Sequence, residues 1–287
     1  MKRLTTSILC VILAGVLLLS SSSCGLRVSA AELSKGYERT ATETGEITEA
    51  FKTAMADFSM SLFKGLVTKD GENDLISPLS AVICLAMIAN GADGETKAQM
   101  ETAFGMNVET LNKSLYAYTS SLYRADDCKL NLADSIWFRD EENRLHVNEE
   151  FLQTNADWYD AQIYSAPFDD STLKDINHWC KKYTDGMIKK ILDKISPDDM
   201  LFLINALVFE EEWESKYTKG EVTSGIFNAA SGEKQKAQML ISTEYNYIHS
   251  VNAEGFIKNY KGFLGYPNIY FEDSSNELYG RSIFTGK

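Results

Sequence analysis

Between Leu201 and Phe209 the chain reads LFLINALVF, an apolar run broken only by the amide of Asn205. Branched and aromatic residues dominate it, and it is short for a helix, so it reads as a strand buried on both faces. Such a strand needs cover on each side, and the rest of the sequence supplies it. Ile47, Phe51, Met55, Phe58, Leu62 and Leu66 step by three or four, which predicts a helix ending in polar TKDGEND. In NDLISPLS, Ser77 is a natural N-cap and Pro78 suits the first helical position. The LSAVICLAMIANGA that follows is apolar nearly all round, so that helix is expected to be central and buried, stopping at Asn90-Gly91.

Further helices are read over GETKAQMETAFG, around Leu111, Leu115, Tyr118 and Leu122, and over NEEFLQTNADWYDA. KLNLADSIWFRD alternates, with Leu130, Leu132, Asp134, Ile136 and Phe138 on one face: a strand with an acid on its inner side. QIYSAPF is a short strand, and STLKDINHWCKKYTDGMIKKILDKI a long helix or helix pair interrupted at Gly186. From Gly225 to Val251 the pattern is of hairpin-like strands with Gly232 at a turn. No internal repeat is visible. Helices first, with strands mixed among them, give an α+β class.

The first residues are of a different kind. Lys2 and Arg3 precede an apolar run from Ile8 to Leu19 and then SSSSCGLRVSA, the layout of an export signal. The run is short for a membrane span. Two exits compete: Cys24 as a lipid-bearing cysteine, with Ser21 where such motifs usually place leucine, or Val28-Ser29-Ala30 as a small-x-small cleavage site. Either takes the protein out of the cytoplasm, to the cell surface or the extracellular space. The expected organisation is an export signal over 1–24, a polar tether over 25–46, a folded body over 47–262 and a divergent tail over 263–287.

With 287 residues, 44% apolar and 24% charged, the chain is long enough for a large core. Its net charge of −13 and lack of any Lys/Arg block argue against a nucleic-acid partner. Cys84, Cys128 and Cys180 form neither a disulfide framework nor a metal pattern. His146, His178 and His249 are scattered, so no metal and no cofactor is expected. Ser61-x-x-Lys64 and Ser250-x-Asn252 occur in the order found in penicillin-recognising serine enzymes, but the Lys-Thr-Gly that should follow is missing. No catalytic residue is assigned.

Across the body the chain resembles the serpins, the large protease inhibitors. Asn73, Ser77, Pro78 and Ser80 match that family's Asn-x-x-x-Ser-Pro-x-Ser, and Gly91, Ala92, Gly94 and Thr96 its Gly-Ala-x-Gly-x-Thr turn. LNLADSIWF is similar to its second central strand. Asn177, Trp179, Thr184, Gly186 and Ile188 match a helix motif, and Asn205, Ala206, Phe209 and Trp213 the strand after it. Phe227 and Met239 fit the strands beyond. The resemblance implies N-terminal helices packed on a large central sheet, additional barrel strands, and inhibition of serine, or less often cysteine, proteases. It also implies that Asn73, Ser77, Pro78, Ser80, Asn205 and Trp213 surround the place where the central sheet parts, with Ser77 and Ser80 near the Asn205 amide.

The resemblance fades after Glu254–Gly262. The tail FLGYPNIYFEDSSNELYGRSIFTGK has neither a hinge of small residues nor a serpin-like strand pattern. The expectation is a body without its reactive loop and C-terminal strands, its Asn205 strand left with an open apolar edge. Such a chain is expected to fold poorly and to inhibit nothing by itself, the alternatives being a non-inhibitory surface binding protein or an inactive remnant.

Overall fold

A computed structural model describes residues 29–41, 43, 45–66, 75–122, 129–141, 143–229, 231–243, 247–249, 253–261 and 268–273. Its centre is a four-stranded sheet in the order β1-β3-β2-β4, with β1 Ala31–Glu32, β2 Lys129–Arg139, β3 Gln162–Ala166 and β4 Leu201–Glu210. β2 and β4 are antiparallel in a ten-pair register from Lys129↔Glu210 to Phe138↔Leu201. β2 and β3 are parallel, which requires a crossover, and helix α5 (Glu149–Tyr159) provides it.

The alternation along β2 sorts the two faces. Leu132, Ile136 and Phe138 face a helical layer of α1 (Glu49–Leu66), α2 (Pro78–Ala89), α3 (Gly94–Phe104), α4 (Val108–Ser121) and α5, where Phe51, Ile83, Met87, Phe104, Leu111 and Leu115 pack. Ala133 and Trp137 face α6 (Asp170–Tyr183), whose Ile176, Trp179 and Cys180 close the second core. Trp137 stacks on Tyr164 with ring centroids 4.0 Å apart. β4 is thus covered on both sides, as its composition predicts, yet among the described residues it is an end strand of its sheet. The remaining strands form a hairpin, β5 (Val222–Asn228) with β6 (Lys234–Leu240), and a meander of β7 (Tyr247–His249), β8 (Ala253–Lys258) and β9 (Asn268–Asp273). Gly232 turns the hairpin at φ +82°, a left-handed value that a side chain would strain.

Three expectations need correction. The segment over 25–46 is not a free tether where it is described. The backbone N–H and hydroxyl of Ser29 and the N–H of Ala30 all donate to one Asp175 oxygen. Ala31 and Glu32 pair with β3, and the Arg39 guanidinium lies 3.6 Å from the Tyr116 ring centre. Its polar composition conceals this because most of its contacts are made by backbone and charged groups. Helix α2 is not buried all round: Leu85 and Ile88 are 41% and 42% exposed. Residues 187–195 form no second helix. Asp185 and Gly186 turn the chain at positive φ, and Asn177 holds the next segment, accepting from the N–H groups of Ile191 and Leu192 and donating to Leu192 O. Within residues 263–287, β9 pairs with β8 from Ala253↔Asp273 to Lys258↔Asn268. Its NIYFED is rich in β-formers and meets backbone groups that β8 would otherwise leave open.

Candidate functional site

Where α2 begins, the sequence dictates the geometry closely. Ser77 sits in extended backbone as the N-cap and Pro78 occupies the first turn. The Ser80 N–H donates to Ser77 Oγ at 3.3 Å, and the Ser77 hydroxyl donates to Ser80 Oγ at 2.9 Å. Substituting Ser77 by alanine removes cap and partner together, and a loss of about 1 kcal/mol is expected in urea unfolding. At the far end of α2, Gly91 lets the Phe151 ring approach: a Cβ there would stand 3.0 Å from it.

One turn beyond Ser80 on α2, Cys84 meets the middle of the sheet. Burial pushes its thiol up to about 11, the neighbouring Asp134 adding to the rise and the Asn205 backbone N–H opposing it. Asp134 and Asn205 face one another across β2 and β4, and the Asn205 side-chain amide donates to Asp134 Oδ1 at 2.9 Å. Asp134 is 4% exposed. Burial pushes its carboxyl up to about 7; the Asn205 hydrogen bond pulls the other way, and the charge of Asp160 adds to the rise. Among the described residues, Asn205 Oδ1 is buried without a hydrogen-bond partner.

The expected residues therefore divide. Ser77 and Ser80 bond each other, Asn205 bonds Asp134, and among the described residues no hydrogen bond joins either serine to Asn205. Trp213 lies past the end of β4, stacked on Tyr260 with ring centroids 4.5 Å apart, and so away from Asn205, eight residues earlier in an extended stretch. Asn73 and Cys24 lie outside the described residues. The helix-motif residues have local work: the Trp179 indole donates to Gln162 Oε1, and Thr184 Oγ1 donates to Cys180 O and accepts from the Ile188 N–H.

Two polar clusters were not read from the sequence. Asn90, Asn112, Asn155 and Tyr159 join α2, α4 and α5, with Asn112 donating to Asn90 Oδ1 at 2.7 Å and the Tyr159 hydroxyl to Asn112 Oδ1 at 2.5 Å. Arg139, 6% exposed at the end of β2, gathers the carbonyls of Pro167, Ser196 and Asp199 and the Glu141 carboxylate. Among the described residues, no group of His, Cys, Asp and Glu is placed to hold a metal, and no helix is long and apolar enough to cross a membrane. The arrangement brings together an end strand, a helix packed against it and a buried acid–amide pair between strands.

Compared with known proteins, residues 53–258 match the family described as "Serpin (serine protease inhibitor)". Serpin B11 of Homo sapiens is 27% identical over 213 residues, covering 67% of this chain and 54% of that protein. The leukocyte elastase inhibitor of Equus caballus is 28% identical over 225 residues, covering 75% of this chain and 59% of that protein. Among solved structures, the thermophilic serpin Tengpin in its native state is 44% identical with a TM-score of 0.81, over 87% of this chain and 64% of that one. The chain spans a little over half the length of the curated relatives it matches. Ovalbumin from emu, 23% identical with a TM-score of 0.69 over 77% of this chain and 62% of that one, shares the fold.

Proposed function

Because this chain belongs to the serpin family of serine protease inhibitors, we propose that it is the strand-accepting body of such an inhibitor, acting on serine, or less often cysteine, proteases outside the cytoplasm. One observation carries this reading. β4, ten residues long, is paired by β2 on one side and by no strand on the other among the described residues. A serpin takes its cleaved loop into the central sheet as a new strand, and the outer edge of an end strand is a template for that. Residues 263–287 hold no small-residue hinge that could serve as the incoming strand, so in this reading the incoming strand comes from outside residues 1–287.

The test has two arms. Mixed with trypsin-, chymotrypsin- and elastase-type proteases, residues 1–287 alone should leave protease activity unchanged and give no complex that survives denaturing electrophoresis. An added extended peptide rich in alanine and small residues should bind and raise the thermal midpoint by several degrees. A gel-stable complex without peptide would refute the need for an outside strand. No binding by any such peptide would refute the accepting edge.

The charged start, the apolar run and Cys24 support export with lipid attachment at Cys24. Cleavage after Ala30 instead would remove all three hydrogen bonds to Asp175. The mass of the exported protein is expected to correspond to a lipid-bearing chain beginning at Cys24; a chain beginning at Ala31 would overturn this. A non-inhibitory binding role is the second reading, favoured by an apolar cleft of about 410 Å³ between α1, α2 and α4, lined by Phe51, Met55, Phe58, Val82 and Leu115. Saturable binding of an apolar fluorophore, lost on Val82→Trp, would support it.

A further inference from the structure

The central sheet contains a polar contact whose two halves do not match as charged groups. Asp134 and Asn205 are directly opposite in the β2–β4 register, so their side chains share one face. Asn205 offers two amide hydrogens and one carbonyl oxygen. One of those hydrogens reaches Asp134 Oδ1. The carbonyl oxygen, Oδ1, is buried and receives nothing among the described residues, a cost that native interiors rarely tolerate. An ionised carboxylate opposite it can only accept, so it cannot satisfy that oxygen. A neutral carboxylic acid can, because it carries one O–H donor.

We infer that Asp134 is a proton-binding site: the neutral acid donates its O–H to Asn205 Oδ1 while accepting from the Asn205 amide, closing a two-bond ring that ties β2 to β4. Only a proton moves, from solvent to the carboxylate oxygen that does not accept from Asn205, and back as pH rises. The groups facing Asp134 agree with a neutral state. Helix α2 presents Cys84, whose thiol burial keeps protonated. The end of α5 presents Tyr159, its phenol held well above the usual range by burial and by Asp134 itself, and Asp160, whose negative charge further disfavours a second anion. Opposite it on β4 stands the neutral Asn205. None of these is a cation that would hold the carboxylate ionised.

The sign follows from linkage. The folded carboxyl titrates at about 7 and an unfolded aspartate at about 3.9. Between those values the folded state binds the extra proton, so stability falls as pH rises through that window and levels off above the folded value. Over most of it, the unfolding equilibrium constant should rise about tenfold per pH unit through this one group. The carboxylates with lowered values, such as Glu141 and Asp169, act in the opposite sense and at lower pH, so a variant must isolate the contribution.

Asp134→Asn supplies it, because a carboxamide is the uncharged isostere of the acid and can close the same ring at every pH. In urea unfolding of the full chain between pH 5 and 8, the wild type should lose stability relative to D134N as pH rises, and the gap should be constant above pH 8. In parallel, carbon NMR of protein labelled at aspartate side-chain carboxyls should show one resonance titrating near neutrality that is missing from D134N. Equal pH slopes in the two proteins would overturn the inference. So would a wild type in which every aspartate titrates below pH 5, a result that decides the matter even if D134N does not fold. Neither readout involves protease or peptide binding, so failure here is distinguishable from failure of the inhibitor reading.

Discussion

Replacing Arg139 by alanine is expected to lower the unfolding free energy by about 2–4 kcal/mol, because three backbone carbonyls lose a charged hydrogen-bond donor. Arg139 ends β2 with its side chain 6% exposed. Nε donates to Asp199 O at 3.0 Å, one terminal nitrogen to Glu141 Oε1 at 2.9 Å and Pro167 O at 3.4 Å, and the other to Ser196 O at 3.3 Å. The three carbonyl acceptors come from the chain just after β3 and just before β4, so one planar group fixes where both segments meet β2. Glu141 is 36% exposed, and its share is discounted for screening; the carbonyls carry most of the effect, since each loses a charged donor in a partly dry place. Arg139→Lys keeps the charge but not the fork, and should recover less than half of the loss. Urea midpoints at constant m-value provide the measurement. A loss below about 1 kcal/mol for alanine would show that water replaces the guanidinium without cost.

Asn155→Ala is expected to cost about 2–4 kcal/mol, combining a cavity with stranded polar groups. Its side chain is wholly buried. The amide donates to Met87 O at 3.3 Å and Phe151 O at 2.9 Å, and Oδ1 accepts from Asn90 at 3.2 Å. Met87 lies in the last turn of α2, where carbonyls lack helical partners. Asn155 thus finishes one helix from another, and Asn90 passes the connection to Asn112 and Tyr159. Because these side chains act as one unit, Asn155→Ala and Asn112→Ala should not add; a coupling of about 1 kcal/mol or more is expected from the double-mutant cycle. Strict additivity would mean that the cluster is four separate contacts.

What the sequence disclosed, and what it hid, follows from distance along the chain. The cap at Ser77-Pro78, the turn at Gly232 and the inward face of β2 depend on neighbours a few residues away, and periodicity exposes such features. Arg139 reaches partners 28 to 60 residues off, and nothing in its local pattern separates it from a solvated arginine. Asn90, Asn112 and Asn155 lie on helices whose apolar spacing already explains the packing, so polar residues on the same face pass for surface. The helix expected over 187–195 failed because Asn177 offers that backbone another set of hydrogen bonds, a competition that composition does not display. At the candidate site, Asp134 was legible as an inward acid and Asn205 as an amide needing a partner. Their pairing was not, because it depends on strand register.

The β1 clasp bears on the order in which the molecule can be assembled. Ala31 and Glu32 pair with Ser165 and Tyr164, so the earliest described strand has no template until β3 has been synthesised, and Asp175, which holds Ser29 and Ala30, comes later still. Closing so long a loop is entropically costly, and contacts of such separation form late. The sheet should therefore grow outward from β2, with the N-terminal clasp fastening last. Pulsed proteolysis during refolding should find residues 29–40 cleavable after β2 has become protected; simultaneous protection would mean that the clasp belongs to the folding nucleus.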